Sequence, residues 1–178
     1  MIRILAIPVA VFVVVTATAR PTSTQAVSEE YRIKAAYLYN FVKYVEWPRD
    51  AGAGPLTICV AGRNPFGTLL DDLVRDETIE GRRLQTRVIL EPEPGCHVVF
   101  VPEGAATRAY LRGVTGTGTL TVGESDTFIE QGGVANFYLE RGSVRFEINP
   151  VAAERSGVRI SGRLLQLARI TPARNGSR

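Results

Sequence analysis

Histidine occurs once in the 178 residues, at His97, and cysteine twice, at Cys59 and Cys96. That scarcity excludes a structural zinc site, which takes four Cys or His ligands, because a second cysteine pair is missing. Cys96 and His97 are neighbours in the chain, but consecutive strand residues face opposite sides, so they do not form a catalytic Cys–His pair. No G-x-S-x-G elbow is present. In "GRNPFGT", Gly62 and Gly67 have the four-residue gap of a phosphate loop, yet Thr68 and Leu69 follow, so the lysine that would hold phosphates is absent. "GVTGTG" precedes a strand rather than following one and is not a dinucleotide fingerprint. Glu124 and Asp126 flank a strand end and could hold a cation weakly, with no further ligands to complete a cage. No nucleophile, base and orienter assemble, so the chain reads as a non-enzyme with neither cofactor nor metal.

Long apolar runs are missing too, apart from one at the start. Arg3 precedes an apolar stretch, Ile4 to Val15, and small residues follow. This is the pattern of a secretory signal, and it is shorter than the roughly 20 residues a membrane span needs. Cleavage is expected after Ala26 rather than Ala19, because Arg20 and Pro21 sit awkwardly just past the earlier cut. No cysteine adjoins the cut, which argues against a lipoprotein. The formal net charge of +3 falls to +1 once Arg3 and Arg20 leave with the signal. With no long basic run, and with export, nucleic acid is not a partner. An even cysteine count in an exported protein suggests a disulfide, two buried thiols being the alternative. A bridge closing a loop of this length could add ~4 kcal/mol in the chain-entropy account.

Aromatic residues, by contrast, crowd together. "KAAYLYNFVKYVEWP" (Lys34 to Pro48) holds three tyrosines, a phenylalanine and the only tryptophan. Helical spacing over Ser28 to Tyr44 puts Ile33, Tyr37, Phe41 and Tyr44 on one stripe and Leu38, Val42 and Val45 on a second. Ser28 is placed to cap this helix, Glu29 and Glu30 suit its positive end, and Pro48 should end it near Trp47. A helix apolar over so much of its circumference is buried or offers one face to a partner. We expect Tyr37, Phe41 and Tyr44 over a sheet and Trp47 at the surface.

Downstream, strands at Leu56 to Ala61, Leu84 to Leu90 and "CHVVFVP" alternate with helices at Phe66 to Val74 and "GAATRAYLRGV", followed by the strand "GTLTVGE". That alternation predicts an α/β fold, a mostly parallel sheet flanked by helices on both faces. "VANFYLE" and "SVRFEIN" flank Arg141-Gly142, which predicts a C-terminal antiparallel hairpin. Pro150 should start a short helix that Gly157 stops. "VRIS" reads as one more short strand, and Ser161 as the cap of a last helix running through Ile170. The domain plan is a signal peptide over 1–26, a single domain over 27–171 and a disordered tail over 172–178.

Such folds bind ligands at the carboxyl ends of the parallel strands, so Gly62, Asn64 and Phe66 are candidate ligand-binding residues. Tyr and Trp favour interfaces, and Tyr37, Trp47, Arg145, Glu147, Arg159 and Arg163 are the candidates for binding a partner.

"KAAYLYNFVKYVEWP" resembles the opening signature of the YfiR family of periplasmic regulators. The resemblance continues in order through "LTICVAGRNPFG", "GRRL", "CHVVFV", "LTVGESDTFIEQGG", "NFYLERGSVRFEIN" and "GVRISGRLLQLARI", about residues 29–171. It implies a periplasmic protein that represses a membrane-bound diguanylate cyclase by binding its periplasmic region. An outer-membrane lipoprotein would sequester the repressor, raising cyclic di-GMP and biofilm. Family members can form a homodimer. Cys59 and Cys96 match the family's strand-to-strand cysteine pair, which supports a disulfide, whereas the further pair of some members is absent here. A small-ligand sensor acting on another membrane receptor or kinase is the alternative reading.

Overall fold

The longest element among the described residues is a helix that lies across one face of a sheet. The computed structural model describes residues 23–47 and 54–171. This helix, α1 (Ser23–Tyr44), has 22 residues and so runs about 33 Å. It begins ahead of the expected start, so Ser28 lies inside it rather than at its cap. It also ends before Trp47: Val45–Glu46 forms a short strand, β1. The expected signal residues 1–22, the turn at 48–53 and the tail 172–178 fall outside the described residues.

The strands that follow are β2 (Leu56–Ala61), β3 (Thr78–Ile79), β4 (Arg82–Ile89), β5 (Val98–Val101), β6 (Leu120–Gly123), β7 (Ala135–Glu140), β8 (Ser143–Ile148), β9 (Arg159–Ile160) and β10 (Arg169–Ile170). Eight of the ten form one sheet in the order β10-β8-β7-β6-β5-β2-β4-β3, and β1 pairs with β9 apart from it. Pairing is parallel from β7 through β6, β5 and β2 to β4, so the expected mostly parallel sheet is present. β2, β5 and β6 are buried at every residue, as unbroken apolar runs in a sheet covered on both sides should be.

Period-two alternation divides the sheet's side chains between two cores. On one face Ile58, Val60, Phe100, Val122 and Phe137 meet Leu38, Phe41 and Val42 of α1. Leu70 and Val74 of α2 (Leu69–Val74) and Ala152 and Ala153 of α4 (Pro150–Ser156) join them. On the other face Cys59, Val99 and Val101 meet Tyr110 and Leu111 of α3 (Thr107–Gly113) and Phe128. Cys59 and Cys96 are disulfide-bonded within this second core.

β7 and β8 make the expected antiparallel hairpin, with Phe137 opposite Phe146 and Tyr138 opposite Arg145. Arg141 and Gly142 both take positive φ, at 51° and 78°, the dihedral signature of a type I′ two-residue turn. Asn149 caps α4 through Oδ1, which accepts from the Ala152 N–H at 3.1 Å, and Pro150 follows it. Ser161 caps α5 (Gly162–Leu167). That last helix stops short of the expected Ile170, because Arg169–Ile170 turns into an edge strand pairing in parallel with β8.

Candidate functional site

The chain reverses its direction of travel across the sheet between β2 and β5. After β2 it passes through α2 on one face towards β4; after β5 it passes through α3 on the opposite face towards β6. The loops leaving β2 and β5 therefore part from each other, and open α/β sheets bind ligands in the crevice such a divergence leaves. A cleft of about 630 Å³ lies there, lined by Arg63 and Pro65, by Pro102, Glu103 and Gly104, and by Glu124 and Asp126 beyond β6. Glu30, Tyr31 and Lys34 of α1 close one side, and the Phe137–Leu139 segment of β7 closes another.

Lys34 and Glu124 meet in this cleft with Nζ 2.6 Å from Oε2, and their side chains are only 6% and 7% exposed. Glu30, one turn ahead on α1, is ion-paired with the same ammonium. The other oxygen of Glu124 accepts from the Tyr31 hydroxyl at 3.1 Å and from the Glu103 N–H at 3.0 Å. Lys34 also sits 4.7 Å from the centre of the Tyr31 ring. Burial first, then the Glu124 carboxylate, raises the Tyr31 pKa well above its ordinary value, so the hydroxyl stays protonated and donates. Among the described residues no group of His, Cys, Asp and Glu is arranged to hold a metal ion.

Phe66 does not line this cleft. Its ring is buried, edge-on to Phe100 at 5.0 Å and to Tyr31 at 5.4 Å. Asn64 is engaged by its own turn: Oδ1 accepts from the Phe66 N–H and Nδ2 donates to the Gly67 carbonyl, each at 2.9 Å. That turn drives Phe66 inward, and the following helix starts at Leu69 rather than at Phe66. Gly62 supplies a positive φ of 69° at the head of the turn. The expected trio thus builds the loop, while its neighbours Arg63 and Pro65 reach the cleft. No motif marked Arg63, Glu30 or Lys34 beforehand, because Lys34 meets a residue ninety positions later only through the way α1 lies over the sheet, and Arg63 joins them only through the loop after β2.

The six residues expected to bind a partner separate into three places. Tyr37 belongs to the core packing: its ring contacts Phe41, Phe137 and Phe146, at 5.1 Å from the last. Trp47, Arg159 and Arg163 gather where β1 pairs with β9, at the opposite end of α1 from the cleft. Trp47 is half-buried there; its indole N–H donates to the Val42 carbonyl at 3.3 Å, and its ring stands edge-on to His97 at 5.6 Å. His97 is itself buried, with Nδ1 3.2 Å from the Thr57 N–H and Nε2 3.0 Å from an Arg82 nitrogen. Arg159 is 86% exposed and loosely paired with Glu46, and Arg163 lies over the Tyr44 ring at 5.2 Å. Arg145 and Glu147 lie elsewhere, on the outer face of the hairpin. Arg145 faces Glu140, and Glu147 accepts from Asn136 at 3.3 Å and from the Thr171 hydroxyl at 2.8 Å. Arg169 covers the Tyr138 ring on the same face at 4.0 Å.

A family model described as YfiR/HmsC-like matches residues 31–169, from the cleft's Tyr31 to the Arg169 of the last strand. The chain belongs to that family. The match takes in the Trp47 end of the YfiR/HmsC-like domain and all of the cleft but Glu30. Among solved structures, a conserved domain protein from Vibrio cholerae O1 biovar El Tor is similar at 14% identity and a TM-score of 0.52. The alignment covers 79% of this chain and 59% of that one, so this chain spans little more than half the length of that relative. At that identity the likeness shows the fold alone, and the fold is the same kind of α/β domain. The ABC domain in complex with L-Trp from Streptococcus pneumonia is a weaker likeness, at 11% identity and a TM-score of 0.47, covering 65% of this chain and 55% of that one.

Proposed function

We propose that this protein is a non-enzymatic periplasmic regulator that binds the periplasmic region of a membrane diguanylate cyclase and represses it, lowering cyclic di-GMP and restraining biofilm. What carries the reading is membership of the YfiR/HmsC-like family over residues 31–169. Export fits it: an apolar leader precedes the domain, and a disulfide-bonded cysteine pair belongs in an oxidising compartment. An outer-membrane lipoprotein would relieve the repression by sequestering the regulator, and the domain would form a homodimer.

The surface proposed for the cyclase is the end of α1 where Trp47, Arg159 and Arg163 stand together, because Trp and Arg are the residues that most often dominate binding energy at an interface. Deleting the gene should raise cyclic di-GMP and biofilm. Purified protein carrying Trp47→Glu and Arg159→Glu should fold yet fail to retain the cyclase's periplasmic region in a pull-down. Undiminished retention by that folded variant would move the contact elsewhere.

A second reading is favoured by one observation, the hollow at the reversal point of the sheet. In it the domain senses a small ligand at the carboxyl ends of the strands. Occupancy there would be communicated along α1, whose Glu30, Tyr31 and Lys34 line the cleft and whose last turn leads to Trp47. The two readings are compatible if the ligand tunes the partner. A thermal-shift screen against exported metabolites tests the second; a midpoint that no compound moves counts against it.

A further inference from the structure

The charges around the hollow do not balance. Four carboxylates line it, those of Glu30, Glu103, Glu124 and Asp126, against two cations, Lys34 and Arg63. Lys34 is already held by Glu30 and Glu124 together, so the floor has one carboxylate more than it has ammonium groups, with Arg63 near enough to act on Tyr31. Nearer the rim, neither Glu103 nor Asp126 is in an ion pair with a described residue. A buried ion pair is a poor way to gain stability, since an apolar pair of similar volume does as well or better. Pro65, Pro102, Tyr31, Tyr138 and Leu139 supply the rest of the wall, and they are apolar or aromatic.

This negative charge is spread around about 630 Å³ rather than focused on one point. A bare metal ion needs several oxygens converging within about 2.6 Å, and among the described residues no group of acids is so placed. A larger cation with an apolar body meets both the dispersed charge and the apolar wall; the Tyr31 and Tyr138 rings already face Lys34 and Arg169, so they offer the body contact rather than a second seat for an ammonium. We infer that the cleft takes a small organic cation, an amine or quaternary ammonium carried on an apolar or aromatic body, with its charge towards Glu124 and Asp126 and its body against Tyr31, Pro102 and Tyr138. This rests on the small-ligand reading above and gives its ligand a chemical class. Arg63, at the mouth, acts against the cation and so sets a limit on affinity.

The test is titration of the purified protein with 2-phenylethylammonium, with benzyltrimethylammonium and with 3-phenylpropionate, an anion of similar shape. Binding is followed by calorimetry and by NMR of the Tyr31 and Tyr138 rings. Saturable binding of either ammonium, with shifts at both rings, is expected. Asp126→Asn should weaken it at least threefold, and Arg63→Ala, which removes a like charge, should tighten it. Ammonium binding that neither substitution changes lies outside the cleft and overturns the proposal. Binding of 3-phenylpropionate alone, lost in Arg63→Ala, overturns the cation but leaves a ligand site. Calcium shifting the same rings in place of the ammoniums overturns the organic ligand in favour of a metal. If no probe moves either ring in the folded protein, both the cation and the small-ligand reading fall.

Discussion

Lys34 and Glu124 stand ninety residues apart in the chain and 2.6 Å apart in space, with their charges almost wholly withdrawn from water. The contact fastens α1 to the end of β6, and through the Glu103 N–H it also holds the loop that follows β5.

Breaking that contact from one side strands a charge. Lys34→Met should destabilise the fold by about 3 kcal/mol, the low end for an orphaned buried partner, because Glu124 keeps its charge without its ammonium. Lys34→Met combined with Glu124→Leu should recover most of the loss. Urea midpoints of both variants check this, and a double variant no more stable than the single would contradict the stranded charge.

Removing the bridge between Cys59 and Cys96, 37 residues apart, frees a long loop in the unfolded chain. Cys59→Ala with Cys96→Ala should cost about 2–5 kcal/mol. Thermal unfolding with and without a reducing agent measures it. The wild type should fall towards the variant when reduced, while the variant should not respond.

Alkaline pH should erode stability through Tyr31. Its pKa in the fold lies above that of the unfolded chain, which titrates near 10, so the folded state keeps the proton longer. The stabilisation is complete below about pH 10 and is lost as pH rises towards the folded value. Tyr39, raised first by its bond to Glu77, and Tyr110, raised by burial, act in the same sense. Tyr31→Phe should flatten the fall in urea midpoint between pH 9.5 and 11.5, taken as roughly that titration range. An unchanged slope would remove Tyr31 from the alkaline response.

Phe128 lies across two glycines. A Cβ on Gly123 would come within 2.2 Å of its ring, and one on Gly133 within 2.1 Å. Phe128 is fully buried, so it has nowhere to yield. Gly123→Ala should cost about 1–3 kcal/mol through overpacking. Gly123→Ala with Phe128→Leu should restore part of it, as thermal midpoints would show; a single variant as stable as wild type would contradict the packing.

Much of the architecture was legible because it depends on neighbours in the chain. "LTICVA" and "VVFV" are long enough and apolar enough to be central strands wherever they fold. Arg141-Gly142 announces its turn through the glycine's tolerance of positive φ, and Asn149-Pro150 announces a helix start. The two-residue strands β1, β3 and β10 were not legible. Segments this short have no period, and they exist only because a partner strand lies alongside. Phe66 was misplaced for a related reason: the loop's sequence shows that it turns, but not which side chain the turn sends inward.

The amino-acid order by itself determined the class of fold, the buried runs, the hairpin turn and the family, since each is written in local spacing and in motifs that keep their sequence. Only the tertiary structure decided which charges meet. The cleft takes Lys34 from α1, Arg63 from one loop and Glu124 from another, and their shared space exists because successive crossovers leave β2 and β5 for opposite faces of the sheet. Electrostatic contact acts through distance in space, and distance along the chain says nothing of it until the backbone has been laid down.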